Sequence, residues 1–305
     1  MIGASEPLPA DYLYSVNGWS TPRNSVFEDI EQSARIGADA IGIWEGKFIE
    51  GGDEEIAAAL GNHDIRAGIV MPHHWTILPT PLDPGGMSQD WREKCAGICK
   101  SVRRLAQFDP IGIMVGPGVS GNPTRRLGPV EDVVEGLKMV ADVAGECGVT
   151  IAFEPLALRR GAAVATFPET VDLLEKVGRS NVKILPDLWH SHPEPDFHRH
   201  LRQNVHRIIA VQVNDVRVPE RSWCDRVLPG DGLNVCTDAV ATLLAAGYTG
   251  WYDFEVFSDN GSWGNDFPDS LWKPPHDEFL KRGRDAFDRC FSAARMQVVS
   301  TGRSA

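Results

Sequence analysis

The segment VTIAFEP at residues 149–155 is followed by three similar segments, VKILPDLW at 182–189, IIAVQVND at 208–215 and GWYDFEVF at 250–257. Each is a short apolar run that carries a polar side chain at or near its end. Near-continuous apolar runs are typical of parallel strands that are buried on both faces. The stretches between them have apolar residues at a spacing of three to four, which indicates crossover helices.

Four further strands are predicted upstream: LYSVNG at 13–18, AIGIWEG at 40–46, AGIVMP at 67–72 and IGIMVGP at 111–117. Eight strand and helix units with no composition break between them predict a closed (β/α)₈ barrel, a single-domain TIM barrel of the α/β class. A doubly wound open sheet is the main alternative. We expect the barrel to occupy residues 1–296 and a flexible tail to occupy residues 297–305.

The composition argues against several classes of partner. A formal net charge of -12 opposes nucleic-acid binding, which depends on Lys and Arg at phosphates. No stretch approaches 18 uncharged apolar residues, so we expect no membrane span, and we expect a cytoplasmic location. The six cysteines form no C-x-x-C pair, and we interpret Cys95 and Cys99 as core-facing helix residues.

Oxygen-bearing side chains recur at the ends of the last four predicted strands. Any one of them could be a helix cap or part of an ion pair, but four in succession indicate a common cause. Oxygen donors of this kind suit Mg²⁺ or Mn²⁺, with Co²⁺ and Zn²⁺ as further candidates. The predicted metal ligands are Glu154, Asp187, Gln212 and Glu255. Asp215 is an alternative ligand from the seventh strand.

Other candidate site residues lie just beyond the strands. His190 follows Asp187 by three residues, close enough to hydrogen-bond a substrate oxygen. His74 belongs to one of three long connections that follow strand ends, where barrel enzymes build their sites. Aromatic faces stack on sugar C–H surfaces, which makes Trp19 and Trp189 candidate substrate contacts. A packing role for each of these side chains remains the alternative.

Four short motifs together resemble one family. The series EP, PDxxH, VQVND and FEVFSD, from Glu154 to Asp259, resembles the xylose isomerase-like barrels of the sugar phosphate isomerase/epimerase superfamily. That superfamily includes keto-sugar 3-epimerases, hydroxypyruvate isomerase and inosose dehydratase. The resemblance implies the metal set given above and substrate contacts from His190 and Arg217. Many members have His where this chain has Gln212.

The predicted activity follows from such a site. A metal chelated by a substrate carbonyl and the neighbouring hydroxyl would stabilise an enediolate, with Glu154 and Glu255 as base and acid and His190 beside them. We therefore predict an isomerase or epimerase of an unphosphorylated keto sugar or related hydroxyketone. The alternative is a metal-dependent lyase that eliminates a leaving group from a keto-cyclitol or a 3-keto-glycoside. A homo-oligomer, or a partner subunit that closes the mouth, is left open.

Overall fold

The computed structural model describes residues 11–81 and 88–302. The barrel strands are β1 (Leu13–Asn17), β2 (Ala40–Gly42), β3 (Arg66–Ala67), β4 (Ile69–Val70), β5 (Gly112–Val115), β6 (Ile151–Phe153), β7 (Val182–Ile184), β8 (Ala210–Val213) and β11 (Trp251–Phe254). The strands β9 (Asp215–Val216) and β10 (Arg226–Val227) form a separate antiparallel pair. The short strands β3 and β4 together take the place of the third predicted strand.

The strands pair in parallel around a closed ring. One sheet has the order β3-β2-β1-β11-β8 and the other β4-β5-β6-β7. Isolated parallel bridges join them, Trp44 to Met71 on one side and Ile184 to Ile208 and Asp187 to Gln212 on the other. The predicted (β/α)₈ barrel is confirmed, and with it the expectation that all carboxyl ends of the strands meet at one face.

Helices form the outer layer. They are α1 (Val26–Arg35), α2 (Asp53–Asn62), α3 (Trp91–Leu105), α4 (Val130–Glu146), α5 (Phe167–Val177), α6 (Leu188–Ser191), α7 (Phe197–Gln203), α8 (Val235–Ala245) and α9 (His276–Gly302). Cys95 and Cys99 are buried on α3. In the part of the chain described above, no helix is both long and apolar enough to cross a membrane.

One predicted strand boundary differs from the observed one. The sixth strand ends at Ile184 rather than at Trp189, because Asp187 caps a new helical turn, α6, by accepting a hydrogen bond from the backbone N–H of His190. The helix α9 continues to Gly302, past the predicted start of the tail at 297. Residues 303–305 lie outside the described residues, and the division at residue 296 stays a prediction.

Candidate metal centre and active site

The four predicted ligands lie together at the carboxyl end of the barrel. Glu154 directly follows β6, Gln212 lies in β8 and Glu255 directly follows β11. Asp187 lies beside Gln212 through their parallel bridge. None of the four is more than 3% exposed, and the Gln212 amide donates to Glu255 Oε1 at 3.0 Å.

His190 belongs to the same cluster. Its Nε2 atom lies 3.5 Å from Glu154 Oε1, and one ligand atom from each of Glu154, Asp187 and His190 can be chosen so that all lie within 4.8 Å of one another. The Asp187 carboxylate also accepts a hydrogen bond from Asn214 at 3.3 Å. The α6 turn therefore places an imidazole within reach of the candidate cation site, for which the sequence predicted oxygen donors alone.

Arg226 is the main residue that sequence reasoning missed. Its side chain is 0% exposed, and Nη1 donates to Asp187 Oδ2 at 2.7 Å and to Glu255 Oε2 at 3.0 Å. The antiparallel pairing of β9 with β10, with Arg226 opposite Val216, folds the long connection after β8 back over the site. A Lys or Arg in a loop carries no local signal that it will be buried, so only the hairpin reveals it.

The charges of the cluster are out of balance. Burial and the nearby Asp187 hold the pKa of Glu154 well above its usual range, and burial and the carboxylates of Glu154 and Asp187 do the same for Glu255 despite the opposing effect of Arg226. At Asp187 burial also acts to raise the pKa, but Arg226 and His190 outweigh it and the pKa is lowered. With all three buried carboxyl groups ionised, the single guanidinium of Arg226 would leave a deficit of positive charge, and this deficit is why the pKa values of Glu154 and Glu255 are raised.

A divalent cation would remove that deficit, and the donor set suits one. Within residues 11–81 and 88–302, the buried atoms Gln212 Oε1 and Asn214 Oδ1 have no hydrogen-bond partner. Unpaired buried oxygens are costly unless a ligand satisfies them. Carboxylate and amide oxygens with one imidazole match Mn²⁺, Mg²⁺ or Zn²⁺. The residues present therefore fit a divalent metal.

Two candidate residues near the seventh predicted strand form their contacts outside the carboxylate cluster. Asp215, the alternative ligand, accepts hydrogen bonds from the backbone N–H groups of Val216 at 2.8 Å and Gly230 at 3.0 Å. Its carboxylate therefore stabilises the loop after β8 and is not part of the carboxylate cluster. Arg217 forms ion pairs with Asp225 at 2.9 Å and Asp269 at 3.0 Å. Its predicted contact with substrate stays a prediction, and Arg226 is the arginine that reaches the carboxylates.

The remaining candidates are spread around the mouth. Trp189 is 1% exposed, and the guanidinium groups of Arg159 and Arg226 lie over its ring at 3.7 and 5.4 Å from the centroid. Trp19 packs edge-on against Trp44, Trp75 and Trp263 and forms part of an aromatic cluster. The ring of His74 lies beside Gly97 on α3. The roles predicted for Trp19, His74 and Trp189 in substrate binding stay predictions.

Comparisons with known proteins agree with this architecture. A family model described as a xylose isomerase-like TIM barrel matches residues 30–290. An inosose dehydratase of Geobacillus thermodenitrificans is 28% identical over 142 residues, which are 42% of this chain and 47% of the relative. A D-psicose 3-epimerase of Ruminiclostridium cellulolyticum is 28% identical over 132 residues, 43% of each chain. The chain thus spans less than half of the length of these two relatives.

A solved structure supports the fold over a longer stretch. The IolI protein, crystallised with a zinc atom, superposes with a TM-score of 0.74 at 18% identity and covers 92% of this chain and 98% of its own. This likeness concerns the fold. With the family match over residues 30–290 and the barrel described above, the chain belongs to the xylose isomerase-like TIM barrel family.

Proposed function

We propose that this protein is a divalent-metal-dependent isomerase or epimerase that acts on a keto sugar or related hydroxyketone through an enediolate. The observation that carries the proposal is the buried cluster of Glu154, Asp187, Gln212 and Glu255 at the barrel mouth, with His190 beside it. When bound, Mn²⁺ or Mg²⁺ would supply Lewis-acid polarisation of the substrate carbonyl. The relatives named as an epimerase and a dehydratase support an enzyme of this superfamily.

Glu154 and Glu255 are the proposed proton carriers. Two strands, β7 and β8, separate the strands that precede them, so the two carboxylates approach a substrate from different sides. A base on one side can remove a proton from carbon while an acid on the other side returns one. Return to the same carbon gives epimerisation, and return to the neighbouring carbon gives isomerisation.

Arg226 and His190 are the proposed orienting groups. In the described part of the chain, Arg226 Nη2 and His190 Nδ1 are buried without a hydrogen-bond partner. A guanidinium donor aimed at a substrate oxygen stabilises the negative charge that develops there when the proton leaves carbon. Burial, aided by Arg226, lowers the pKa of His190 to about 3 despite Asp187, so the imidazole is neutral and has one nitrogen able to accept a hydrogen bond.

Elimination is the second candidate. The relative named as an inosose dehydratase favours it, since removal of the same carbon-bound proton can be followed by loss of a neighbouring hydroxyl group. Under this alternative Glu154 or Glu255 would protonate the departing oxygen instead of carbon. The product would then be an unsaturated ketone with a new ultraviolet absorption.

Proton exchange in heavy water tests the proposal. The protein loaded with Mn²⁺ is incubated with a panel of ketoses in D₂O, and proton NMR follows deuterium at carbon while absorbance follows any unsaturated ketone. We expect exchange with the substrate intact, and a loss of about 100-fold or more in Glu154→Gln and Glu255→Gln. The control is Glu146→Gln, because Glu146 is 70% exposed on α4. Full activity in both site variants would overturn the proposal, and an unsaturated product would favour the lyase.

A further inference from the structure

Two consecutive arginines follow the strand of Glu154, and they differ in what they contact. Arg159 donates to the backbone carbonyl of Trp189 at 2.9 Å and pairs with Glu220 at 3.3 Å. The guanidinium of Arg160 lies over the ring of Trp223, 4.4 Å from its centroid. Among the residues that the structure describes, no carboxylate lies within ion-pair distance of Arg160 and no side-chain hydrogen bond satisfies it.

Arg160 lies close enough to the candidate metal centre to act on it electrostatically. Its charge lowers the pKa of Glu154 and of His190, although burial dominates both groups. Burial and the like charge of Arg226 lower the pKa of Arg160 itself to about 10, so it stays a cation at neutral pH. A half-buried cation without an anion is costly, and such groups are retained at binding sites.

Hydrogen bonds fix the backbone at Arg160. Leu158–Arg160 form a single 3-10 turn in which the N–H of Arg160 donates to Ala157 at 2.9 Å. The carbonyl of Arg160 accepts a hydrogen bond from the N–H of Gly121 at 3.0 Å, which ties the turn to the loop after β5. The turn ends at Gly161 with φ +70°. A fixed backbone reduces the entropy that the guanidinium loses when it binds a ligand.

The guanidinium of Arg160 suits an anionic ligand because it has no ion pair among the described residues. Glu154, Asp187 and Glu255 can carry three negative charges, which Arg226 and a divalent cation would offset. The buried Asp253, whose pKa burial raises to about 6, adds a fourth negative charge near them at neutral pH. Arg160 interacts electrostatically with Glu154, but no carboxylate of the described residues forms an ion pair with it, and its guanidinium lies over the ring of Trp223 with its donors open to a ligand. A planar guanidinium matches a carboxylate in two parallel hydrogen bonds. A guanidinium can also bind phosphate. The GxGxxG stretch GPGVSG at 116–121 follows β5, but α4 begins only at Val130, so the stretch lacks the helix N-terminus with which such loops bind phosphate.

We propose that Arg160 binds a carboxylate on the substrate, so that the substrate is a sugar acid or another hydroxy-keto acid rather than a neutral sugar. This inference rests on the proposed function, whose reacting hydroxyketone would lie at the carboxylate cluster. The carboxylate end of the substrate would lie toward Trp223, next to the loop that follows β6. Arg160 would therefore determine specificity, while Glu154 and Glu255 would perform the proton transfers.

A pair of matched ketohexose probes tests the assignment. L-Sorbose and 5-keto-D-gluconate differ only in a carboxylate that replaces the hydroxymethyl group remote from the ketone. Each probe is titrated into the Mn²⁺-loaded protein in a calorimeter. The acid should bind at least about 10-fold more tightly than L-sorbose, as expected for one charge-assisted pair. In Arg160→Gln the preference should disappear, because the affinity for the acid falls about 10-fold further than the affinity for L-sorbose. Arg125→Gln, which removes an exposed arginine from the adjacent loop, should keep the preference.

Three results would overturn the assignment: no preference in the wild-type protein, a preference that persists in Arg160→Gln, or tighter binding of D-fructose 6-phosphate than of the keto acid. The titration needs no turnover, so its outcome is separate from that of the deuterium experiment. If the protein binds the acid preferentially through Arg160 but exchanges no proton, the carboxylate site stands and the proposed reaction is wrong. Deuterium exchange without a preference for the acid would support the proposed reaction and overturn the carboxylate site at Arg160.

Discussion

At the scale of single residues, Arg226 stands out because it is buried between two carboxylates. A buried ion pair adds little net stability when formed, since desolvation offsets the attraction, but removing one partner is strongly destabilising. Arg226 also holds the hairpin over the site, because Nη1 bonds to the backbone carbonyl of Glu255 at 3.2 Å. Its two unpaired nitrogens show that structural pairing does not use all of its donors.

We predict that Arg226→Met lowers the free energy of unfolding by about 3 kcal/mol in metal-free buffer, because Asp187 and Glu255 lose their shared cation. Urea denaturation in the presence of EDTA measures the change. Arg35→Gln is the control, since Arg35 forms an exposed i,i+4 pair with Glu31 and should cost about 0.5 kcal/mol. Equal losses in the two variants would show that the buried cluster is not held together by Arg226.

At the scale of elements, the start of α5 holds the segment that carries Arg160. Thr166 and Glu169 form a capping box, and the Glu169 carboxylate also accepts from the backbone N–H of Ala165 at 2.9 Å. Arg126 bonds to the same carboxylate with two nitrogens, at 2.7 and 2.8 Å, and to the carbonyls of Ala162 and Ala163. One glutamate thus fixes both the helix and the loop that precedes it.

This arrangement makes the contribution of Glu169 dependent on pH. Its bonds to Arg126, with the backbone N–H groups, lower the pKa from 4.5 to about 2 in the folded protein. A depressed carboxyl pKa stabilises the fold above pH 4.5, and that stabilisation is lost as the pH falls toward 2. We predict that Glu169→Gln costs about 1 kcal/mol at neutral pH, after allowance for solvent screening of a partly exposed pair, and almost nothing near the folded-state pKa.

Urea denaturation at several pH values measures this difference. Glu175→Gln is a suitable control, because Glu175 is 62% exposed and pairs with Arg207 at 3.4 Å. A difference between wild-type and Glu169→Gln that stays constant across the acid range would contradict the proposed linkage.

At the scale of the whole molecule, the site joins parts of the chain that are far apart in sequence. Glu154 and Glu255 meet only because β1 pairs with β11 and β7 is bridged to β8, which closes the ring. The unfolded chain has no such site, so an ion that binds the closed barrel stabilises the folded state alone.

We therefore predict that Mn²⁺ at about 100 times its dissociation constant raises the free energy of unfolding by about 2.7 kcal/mol, and that the unfolding temperature rises with it. Thermal denaturation with and without Mn²⁺ measures the shift. The double variant Glu154→Gln, Glu255→Gln should lose most of it, whereas Glu146→Gln should keep it. An equal shift in the double variant would place the ion elsewhere on the protein.

Sequence patterns alone predict the alternation of strands and helices, the barrel and the candidate ligands Glu154, Asp187, Gln212 and Glu255. These are local properties, because apolar runs select buried strands and polar residues at their ends fall at one face of a parallel barrel. The sequence did not predict the helical turn after Asp187, since a capping bond competes with strand continuation only once the chain has turned.

Long-range contacts set which loop residues lie at the candidate site. Asp215 and Gln212 are three residues apart, and the pairing of β9 with β10 turns Asp215 toward backbone amides while Gln212 faces the cluster. The same hairpin buries Arg226, and the loop after β6 leaves Arg160 unpaired beside Trp223. The physical reason is that burial of a charged side chain depends on partners supplied by distant segments, and no local pattern encodes those partners.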